Sequence, residues 1–392
     1  MKFNTYSISE LIDEIAMGPF GSNIKVECFV DDGIPVLNGS NLNGFFLTED
    51  SFRYVTEEKA DSLGRANAHR GDIVITHRGT LGQIVCIPET SKYDRYVISQ
   101  SQFRVKCNEK VLPEYLVYYF HTAIGQHKLL SNASQVGVPA LARASTTFQK
   151  IEVEIPDIKT QQKVVSVLNA IEAKINVNRS INENLEQQAK ALYQQMFIEN
   201  TCPDWIEGSL RDIADITMGQ SPSGSSYNED GIGTIFFQGR AEFSFRFPTI
   251  RLYTTEPKRM AYANDILMSV RAPVGDLNIA HTDCCIGRGL AAIHSKTNHQ
   301  SFVLYTMFSL RKQLDVFNGE GTVFGSINRN SLNDMPILIP SDETIEEFEK
   351  IVAPMDAAIR NNYDEICRLQ AVRDSLLPRL MSGELDVSSL DI

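Results

Sequence analysis

The 392-residue sequence lacks the motifs that mark several classes of enzyme. It has no GxxxxGK[ST] loop for nucleotide phosphates and no HExxH pair for zinc. No two prolines are adjacent, so the Asn/Asp-Pro-Pro-aromatic motif of adenine methyltransferases is also absent. These absences disfavour a self-contained enzyme. They predict a chain with no catalytic residues, no cofactor and no metal of its own.

The sequence has little that suggests an oxidising compartment or a membrane. Its seven cysteines are scattered without a CxxC motif, and the adjacent Cys284 and Cys285 are too close to bridge easily. The first residues contain no apolar signal core, and no apolar run approaches membrane-spanning length. We therefore expect a soluble, cytoplasmic protein with reduced thiols.

Positive charge is scarce overall, with a net charge of -12 at pH 7. Residues 341–392 hold 12 acidic and five basic side chains, and so more than half of the acidic excess. Net acidity disfavours a protein that coats nucleic acid without regard to sequence, because that function needs a broadly basic surface. It still permits a local basic patch and a separate acidic surface for a partner.

The most informative feature that is present is an internal repeat. Short matches recur in the same order while the offset between the copies shrinks from 201 to 184 residues, as loop deletions in the second copy would cause. The matches are Ile15-Ala16-Met17-Gly18 with Ile216-Thr217-Met218-Gly219, Gly71-Asp72-Ile73-Val74 with Asn264-Asp265-Ile266-Leu267, Arg78 and Gly82 with Arg271 and Gly275, Leu116 and Phe120 with Leu304 and Phe308, and Ile155-Pro156 and Thr160 with Ile339-Pro340 and Thr344.

Each copy ends in a segment that predicts one long helix, with Thr160 and Thr344 as candidate N-caps. Apolar residues follow each cap at alternating steps of four and three, which is the spacing of a coiled-coil seam. The first seam is Val164, Leu168, Ile171, Ile175, Asn178, Asn182, Leu185, Ala189, Leu192 and Met196, and adding 184 gives the second, from Phe348 to Leu380. The alternative is that each helix lies on its own domain.

The equivalent seam residues Asn178 and Asn362 predict the register of an antiparallel pair, in which they would face each other. Such a pair is a spacer of roughly 45–50 Å at 1.5 Å per residue. DNA presents its major groove on one face about every 34 Å. Two similar domains held at a fixed distance would therefore suit a DNA site with two halves.

The sequence resembles the specificity subunits of type I restriction–modification systems over nearly its full length. The resemblance rests on the half-repeat, the segment at residues 220–227 after the Met218-Gly219 turn, the Gly-Asp-Ile-Val and Asn-Asp-Ile-Leu strand openings, and the ending at residues 376–385. The first copy departs from the pattern, since Pro19-Phe20-Gly21-Ser22 stands where the second has Gln-Ser-Pro-Ser-Gly.

The resemblance implies a mixed α+β fold with two α/β target-recognition domains in a pseudo-two-fold repeat, separated by two long antiparallel coiled-coil helices. The expected division is residues 1–157 for the first recognition domain, 158–200 for the first spacer helix, 201–340 for the second recognition domain, 341–385 for the second spacer helix and 386–392 for a tail.

The resemblance also implies a function and partners. The chain would read a bipartite target in double-stranded DNA and position other subunits on it. The partners would be two modification subunits, which methylate adenine with S-adenosylmethionine, and a restriction subunit, which translocates and cuts DNA with ATP. The alternatives are a coiled-coil scaffold that does not bind DNA and, less favoured, a self-contained DNA-modifying enzyme.

Base recognition needs exposed Arg, Lys, Asn, Gln, Ser or Thr side chains. In the first domain the candidates are Gly18, Phe20, Gly21, Ser22, Asn38, Ser40, Asn41, His77, Arg78, Thr80, Ser134 and Gln135. In the second they are Gln220, Ser221, Ser223, Tyr227, Gln238, Arg240, Arg271, Thr322 and Phe324. Arg78 and Arg271 are the best matched pair, with a structural salt bridge or strand cap as the alternative. For the Gly/Ser turns the alternative is an ordinary tight turn.

Two other patterns imitate active sites. Asp157, Glu172 and Lys174 have the spacing of a magnesium-dependent nuclease motif, but Glu172 and Lys174 fall on a helix, for which we predict a solvated face. His281 with Cys284 and Cys285 suggests a metal site, but adjacent cysteines rarely converge on one ion, so we predict burial in a strand.

Overall fold

The computed structural model of the protein describes residues 1–134, 138–319 and 325–388. The chain divides into two compact units. The first unit comprises Met1–Asn176 and Ile366–Ile392, and the second comprises Val177–Glu365. Each unit therefore contains one globular region and a part of each of the two long helices.

The first unit contains short strands and short helices before the first long helix. Its strands are β1 (Phe3–Ser7), β2 (Ile12–Met17), β3 (Phe29–Val30), β4 (Ile34–Val36), β5 (Arg53–Val55), β6 (Asn67–His69), β7 (Ile73–Thr76), β8 (Ile84–Cys86), β9 (Arg95–Val97), β10 (Gln102–Cys107), β11 (Ala133–Ser134), β12 (Ala140–Leu141) and β13 (Glu152–Pro156). Its helices are α1 (Glu57–Ser62), α2 (Pro113–His121), α3 (Ala123–Leu130), α4 (Ala144–Gln149) and the start of α5 (Ile158–Tyr193), which continues beyond this unit as a π-helical turn (Gln194–Glu199).

The second unit follows the same plan. Its strands are β14 (Ile206–Ser209), β15 (Ala214–Met218), β16 (Tyr227–Asn228), β17 (Thr234–Phe237), β18 (Tyr253–Thr254), β19 (Met260–Ala261), β20 (Ile266–Ser269), β21 (Leu277–Ile279), β22 (Cys284–Ile286), β23 (Leu290–Ser295) and β24 (Pro336–Ile339). Its helices are α6 (Leu210–Ile213), α7 (Gln300–Ser309), α8 (Arg311–Asp315), α9 (Arg329–Asn333) and the start of α10 (Asp342–Met381).

The strand order of the sheets repeats from one unit to the other. The first unit has sheets of order β1-β13, β2-β10-β7-β8 and β3-β5-β4-β9-β6, and the second has β14-β24, β15-β23-β20-β21 and β16-β18-β17-β22-β19. Even the parallel pairing of β4 with β9 recurs between β17 and β22. The predicted internal repeat and the mixed α/β fold class are therefore confirmed. The first unit also has a short β11-β12 pair.

The strands β7 and β20 explain why the matched apolar runs are continuous and do not alternate. Every residue of both strands is buried. In β7 the side chains of Ile73 and Ile75 enter one hydrophobic cluster while Val74 enters another, because successive side chains point to opposite faces. In β20, Ile266 and Leu267 divide between two clusters in the same way. Each strand therefore runs through the interior and delivers the residues that follow it to the surface.

Both long helices contribute to the core of each unit. In the first unit Val164 and Leu168 of α5 share a cluster with Leu377 and Leu380 of α10. In the second unit the shared cluster contains Ala189 and Tyr193 of α5 with Phe348 and Val352 of α10. The seam residues thus join the helices to each other and to a globular region, so the two alternatives for these helices are both partly correct.

Contacts within each unit show that α5 and α10 run antiparallel. In the first unit Glu172 Oε1 accepts a hydrogen bond from Arg373 Nη1 at 2.6 Å. In the second unit Asn178 Nδ2 donates to Glu365 Oε2, and Asn182 Oδ1 accepts from Asn362 Nδ2, both at 2.8 Å. Within this unit the partner number falls as the first number rises, as antiparallel pairing requires. The predicted antiparallel pair is confirmed.

The register of this pair differs from the predicted one. Asn362 is paired with Asn182, one helical turn after Asn178, and the Asn182 amide also donates to the Ile359 carbonyl oxygen at 3.3 Å. Asn178 instead donates from Nδ2 to Glu365 Oε2 at 2.8 Å. The expectation that Asn178 and Asn362 face each other is therefore wrong. Repeat equivalence did not reveal that the helices cross one turn away from these matched positions.

The helices begin at earlier caps than predicted. Asp157 accepts hydrogen bonds from the amides of Lys159 and Thr160 through Oδ1, at 3.0 and 3.1 Å. These bonds hold the pKa of the Asp157 carboxyl below its usual value. The Ser341 hydroxyl accepts from the Thr344 amide at 3.4 Å. Thr160 and Thr344 therefore lie inside the first turns, and Asp157 and Ser341 are the caps.

The paired asparagines give the first testable expectation. Asn182→Leu leaves the Asn362 amide without its acceptor in a partly buried seam and should lower the free energy of unfolding by about 1–3 kcal/mol. Adding Asn362→Leu removes the unpaired group, so the double variant should regain that stability. Urea denaturation followed by circular dichroism measures both.

The control is Asn184→Leu, which alters an exposed position on the same helix and should change stability by no more than about 0.5 kcal/mol. If the two leucine substitutions act additively, with no recovery in the double variant, the asparagines are not coupled.

Candidate nucleic-acid interface

The candidate site in each unit is built on a backbone framework that the repeat conserves. In the first unit the amides of Gly18, Leu37 and His77 donate to the carbonyl oxygens of Gln102, Val97 and Ser101, each at 2.8 Å. In the second unit the amides of Gly219 and Val270 donate to Leu290 and Gly289 at 2.9 Å, and the amide of Gly287 donates to Phe237 at 2.8 Å. The bonds of Gly219 and Val270 correspond to those of Gly18 and His77, so these loops are fastened at equivalent points in the two units.

The glycine of each Met-Gly turn is required because the turn lies against the backbone of a neighbouring loop. A Cβ atom at Gly18 would overlap the carbonyl oxygen of Ser99, and one at Gly219 would overlap that of Gly287. Both turns consequently approach the neighbouring loop more closely than any larger residue allows. The turn predicted to contact DNA therefore has a structural requirement for glycine, which agrees with the tight-turn alternative for Gly18.

In the second unit these loops enclose a cavity of about 240 Å³. It is lined by residues from separate loops that carry cationic or hydrogen-bonding side chains: Ser221, Gln238, Arg240, Ser269, Arg271 and Arg288. We call this cavity the arginine cleft. It brings together four of the predicted residues, namely Ser221, Gln238, Arg240 and Arg271.

The three arginines of the cleft differ in their partners. Arg240 Nε lies 2.7 Å from Asp276 Oδ2, and the same carboxylate binds Arg311 Nη1 through Oδ1 at 2.6 Å. Arg271 and Arg288 are exposed, and neither guanidinium has a hydrogen bond or ion pair with any residue that the structure describes. Two uncompensated cations thus face one cleft in a chain of net charge -12.

The other predicted residues of the second unit lie in or near the turn beside the cleft. The Ser221 hydroxyl, which lines the cleft, accepts a hydrogen bond from the Arg288 amide at 3.2 Å, and the hydroxyls of Ser223 and Ser225 are hydrogen-bonded at 2.8 Å. The Tyr227 hydroxyl donates to the Pro222 carbonyl oxygen at 3.1 Å. Gln220 is exposed next to this turn. Ser223 and Tyr227 therefore shape the turn and do not line the cleft, while Thr322 and Phe324 lie outside the described residues.

In the first unit Arg78 occupies the position that Arg271 holds in the second. Its backbone forms a bridge to Ala140, as that of Arg271 does to Ser326. The Arg78 side chain is exposed and has no ion-pair or hydrogen-bond partner within residues 1–134, 138–319 and 325–388. The salt-bridge alternative is therefore not supported for either arginine. Ser134 pairs with Ala140 from its other side, and Thr80 is exposed nearby.

The loop with Phe20 and Gly21 lies next to this region in the first unit. The Phe20 side chain is 83% exposed. Gly21 lies under the side-chain amide of Gln100, where a Cβ atom would overlap Gln100 Oε1. The backbone of Ser22 belongs to the short 3-10 turn Gly21–Asn23. Gln135 falls outside the described residues.

His77 is half-buried, and its Nε2 atom lies 3.2 Å from the Gln100 carbonyl oxygen. Burial lowers the pKa of the His77 imidazole, so the neutral ring predominates at pH 7. His77 therefore supports the Gln100 loop and adds no cation to the site.

The prediction that Asn41 contacts DNA is wrong, because this residue is not accessible. Its side chain is fully buried. The Oδ1 atom accepts from the Asn38 amide at 2.9 Å, and Nδ2 donates to the carbonyl oxygens of Thr48 and Asp50 at 3.0 and 2.8 Å. Asn41 therefore holds its loop together from the inside. Asn38 and Ser40 remain near the surface, where Asn38 Oδ1 accepts from the Ser40 amide at 2.8 Å.

Gln100 and Arg288 were not predicted as DNA-contacting residues from the sequence. Both lie at the tips of loops whose flanking residues, Ser99 and Ser101 or Gly287 and Gly289, predict only a turn. The internal repeat could have identified them as equivalent positions, since the offset of 188 that relates Leu116 to Leu304 also relates Gln100 to Arg288.

The nuclease-like and metal-like sequence patterns both have structural explanations. Glu172 is buried and paired with Arg373, so its predicted solvated position is wrong, and Asp157 caps α5. His281 Nε2 binds Asp364 Oδ1 at 2.7 Å, whereas Cys284 and Cys285 are buried in β22, as expected. Within the described ranges no three His, Cys, Asp or Glu side chains are placed to hold a metal ion.

Both copies of the repeat match one known protein family. The family model described as the type I restriction modification DNA specificity domain matches residues 19–187 and 203–366. The chain belongs to this family. One matched range falls in each copy of the repeat.

Relatives and a solved structure agree with this assignment. A Methanocaldococcus jannaschii protein, described as a candidate type I restriction enzyme MjaX specificity subunit, is 26% identical over 91% of this chain and 88% of its own length. The type I restriction enzyme MjaIX specificity subunit of the same organism is 23% identical over 97% of this chain and 93% of its own. The crystal structure of a type I restriction–modification S subunit from M. genitalium has the same fold, with a TM-score of 0.60 and 13% identity over 97% of this chain and 96% of that one.

As a member of this family the protein is a non-catalytic specificity subunit that recognises a DNA target. The scaffold alternative without DNA binding and the self-contained enzyme are therefore both set aside. Among the described helices, none is long and apolar enough to cross a membrane.

The burial of Asn41 gives a second expectation. Asn41→Ala removes three hydrogen bonds from partly buried backbone groups, so the free energy of unfolding should fall by about 1–3 kcal/mol. Thermal denaturation measures the loss, and Ser40→Ala, at an exposed position in the same turn, is the control. A variant that unfolds like the wild type but prefers different bases would show that Asn41 reads DNA after all.

Proposed function

We propose that this specificity subunit reads a bipartite DNA target, with one half recognised by each copy of the repeat. The observation that carries the proposal is the equivalence of Arg78 and Arg271. Each follows a buried central strand, each is exposed, and each lacks a partner for its guanidinium among the described residues. Unpaired arginines at groove-accessible loops are the usual source of phosphate and guanine contacts.

In this proposal the chain has a division of labour. Residues 1–157 and 201–340 are the two target-recognition domains, and residues 158–200 and 341–385 are the spacer helices, followed by a tail at 386–392. The support is that Arg78, Arg271 and the arginine cleft lie in the first two ranges, whereas the antiparallel contacts between α5 and α10 lie in the helices.

The proposed partners are two modification subunits, a restriction subunit and double-stranded DNA, acting in the cytoplasm. The relatives are named as subunits of type I restriction enzymes, which supports an assembly of this kind. The spacer helices are the proposed assembly surface, because residues 341–392 carry a net charge of -7 and Glu346 and Glu347 are exposed on α10. An acidic surface repels DNA and favours a basic protein partner.

A domain exchange tests the bipartite proposal. Replacing residues 203–338 by the equivalent part of another family member should change one half of the recognised sequence and leave the other half unchanged, because each half has its own domain. Sequencing of methylated sites in cells that carry the hybrid reads both halves. A simultaneous change in both halves would refute independent domains.

Substitution of the matched arginines is a separate expectation. Arg78→Ala or Arg271→Ala should weaken DNA binding by the complex with modification subunits by about 1–3 kcal/mol per lost base contact. A phosphate contact would instead weaken binding to all sequences and reduce its salt dependence. Titrations with labelled DNA at two salt concentrations distinguish the two kinds of contact.

The matched controls are Arg70→Ala and Arg251→Ala, which remove exposed arginines that are already paired with Asp94 and Glu242. Variants of Arg78 and Arg271 that assemble poorly yet bind DNA normally once assembled would show that both arginines are structural.

A further inference from the structure

The loops that carry Gln100 and Arg288 are equivalent in the two units. One joins β9 to β10, and the other joins β22 to β23. Each is fastened to the residue that precedes the matched arginine, through Ser101 and His77 in the first unit and Gly289 and Val270 in the second. Gln100 and Arg288 are therefore the same position of the repeat, occupied by two different side chains.

Both side chains are exposed and have no partner among the described residues. The Gln100 amide and the Arg288 guanidinium make no hydrogen bond or ion pair with any part of the chain that the structure describes. Both groups are planar and bring two hydrogen-bonding atoms to one edge. A planar group of this kind can pair with two atoms on the edge of a base.

The loop backbones are held firmly, and a rigid backbone can position a side chain accurately enough to distinguish one base from another. A Cβ atom at Gly287 or Gly289 would come within 2.8 Å of the Gln238 carbonyl oxygen, so both positions need glycine, and the Arg288 amide is bound by Ser221. In the first unit the Ser99 amide donates to Gln102 Oε1 at 2.9 Å, and the Gln100 carbonyl oxygen contacts His77 Nε2 at 3.2 Å.

Each tip lies beside the matched arginine of its own unit. Arg271 and Arg288 line the same cleft. In the first unit the loop of Gln100 contacts His77, whose chain neighbour is Arg78. The arginine that is present in both units can anchor the DNA backbone, while the side chain that differs between the units meets a base, which is how phosphate and base contacts divide their roles.

We propose that this loop tip is a specificity-determining position, at which Gln100 reads an adenine in one half of the target and Arg288 reads a guanine in the other. The assignment follows from chemistry: glutamine pairs with the N6 and N7 atoms of adenine, and arginine pairs with the O6 and N7 atoms of guanine. The inference rests on the proposed bipartite function and adds the bases and residues to it.

The test uses the full chain assembled with its modification subunits and a library of randomised DNA targets. Arg288→Gln should shift one base pair in a single half of the target from guanine to adenine, by about 10- to 100-fold in relative affinity. Gln100→Arg should shift one base pair in the other half from adenine to guanine. The rest of each half should be unchanged.

Two further variants separate base reading from general attraction. Arg288→Lys keeps the charge but loses the planar fork, so the guanine preference should fall while the salt dependence is retained. Arg251→Gln removes an exposed arginine that is paired with Glu242, and it should leave the target sequence unchanged. Gel filtration of each complex confirms that assembly is intact.

The outcomes distinguish this inference from the function on which it rests. If Arg288→Gln weakens binding to all targets equally and lowers the salt dependence, Arg288 contacts phosphate and the inference fails, while bipartite recognition stands. If the variants select the wild-type sequence with wild-type affinity, the inference also fails. If the wild-type complex selects no two-part sequence, the proposed function itself fails.

Discussion

The structure depends on the way in which the two long helices complete the hydrophobic cores of the units. Val164 and Leu168, near the start of α5, are buried with Leu377 and Leu380 at the end of α10. Each of these side chains contributes roughly 1.5–3 kcal/mol when it is fully buried. The first unit is therefore closed by residues from the middle and from the end of the sequence, and the Met1 ammonium adds an ion pair to Asp386 at 2.6 Å.

Electrostatics explain how a chain with net charge -12 presents a cationic site. Many arginines are paired with carboxylates inside each unit. Arg104 contacts Glu14 at 3.0 Å and Asp72 at 3.3 Å, and Arg240 and Arg311 share Asp276. Arg271 and Arg288 have no such partner in the described chain, so their charge faces solvent. Local pairing, and not net composition, determines where an anion can bind.

In the repeated framework the residues that stabilise the fold are distinct from the exposed side chains at the loop tips. Buried strands and conserved backbone hydrogen bonds fix the loops, as the equivalent bonds of His77 and Val270 illustrate. The side chains at the loop tips contribute little to the cores and can differ between the copies, as Gln100 and Arg288 do. This arrangement allows the side chain at a loop tip to change without loss of the fold, because its neighbours and not the tip itself carry the packing.

The sequence by itself determined the repeat, the long helices and the equivalence of Arg78 with Arg271, and the resemblance implied that the helices are antiparallel. The repeat, the helices and the matched arginines follow from periodicity and ordered offsets, which can be read along one chain. Only the tertiary structure decided that Asn182 and not Asn178 meets Asn362, because the packing of both helices in the core of the second unit sets the register there. It also decided that Asn41 is buried, and that Arg288 joins Arg271 in one cleft. Burial and convergence depend on which distant segments pack together, and a pattern along one chain does not contain that information.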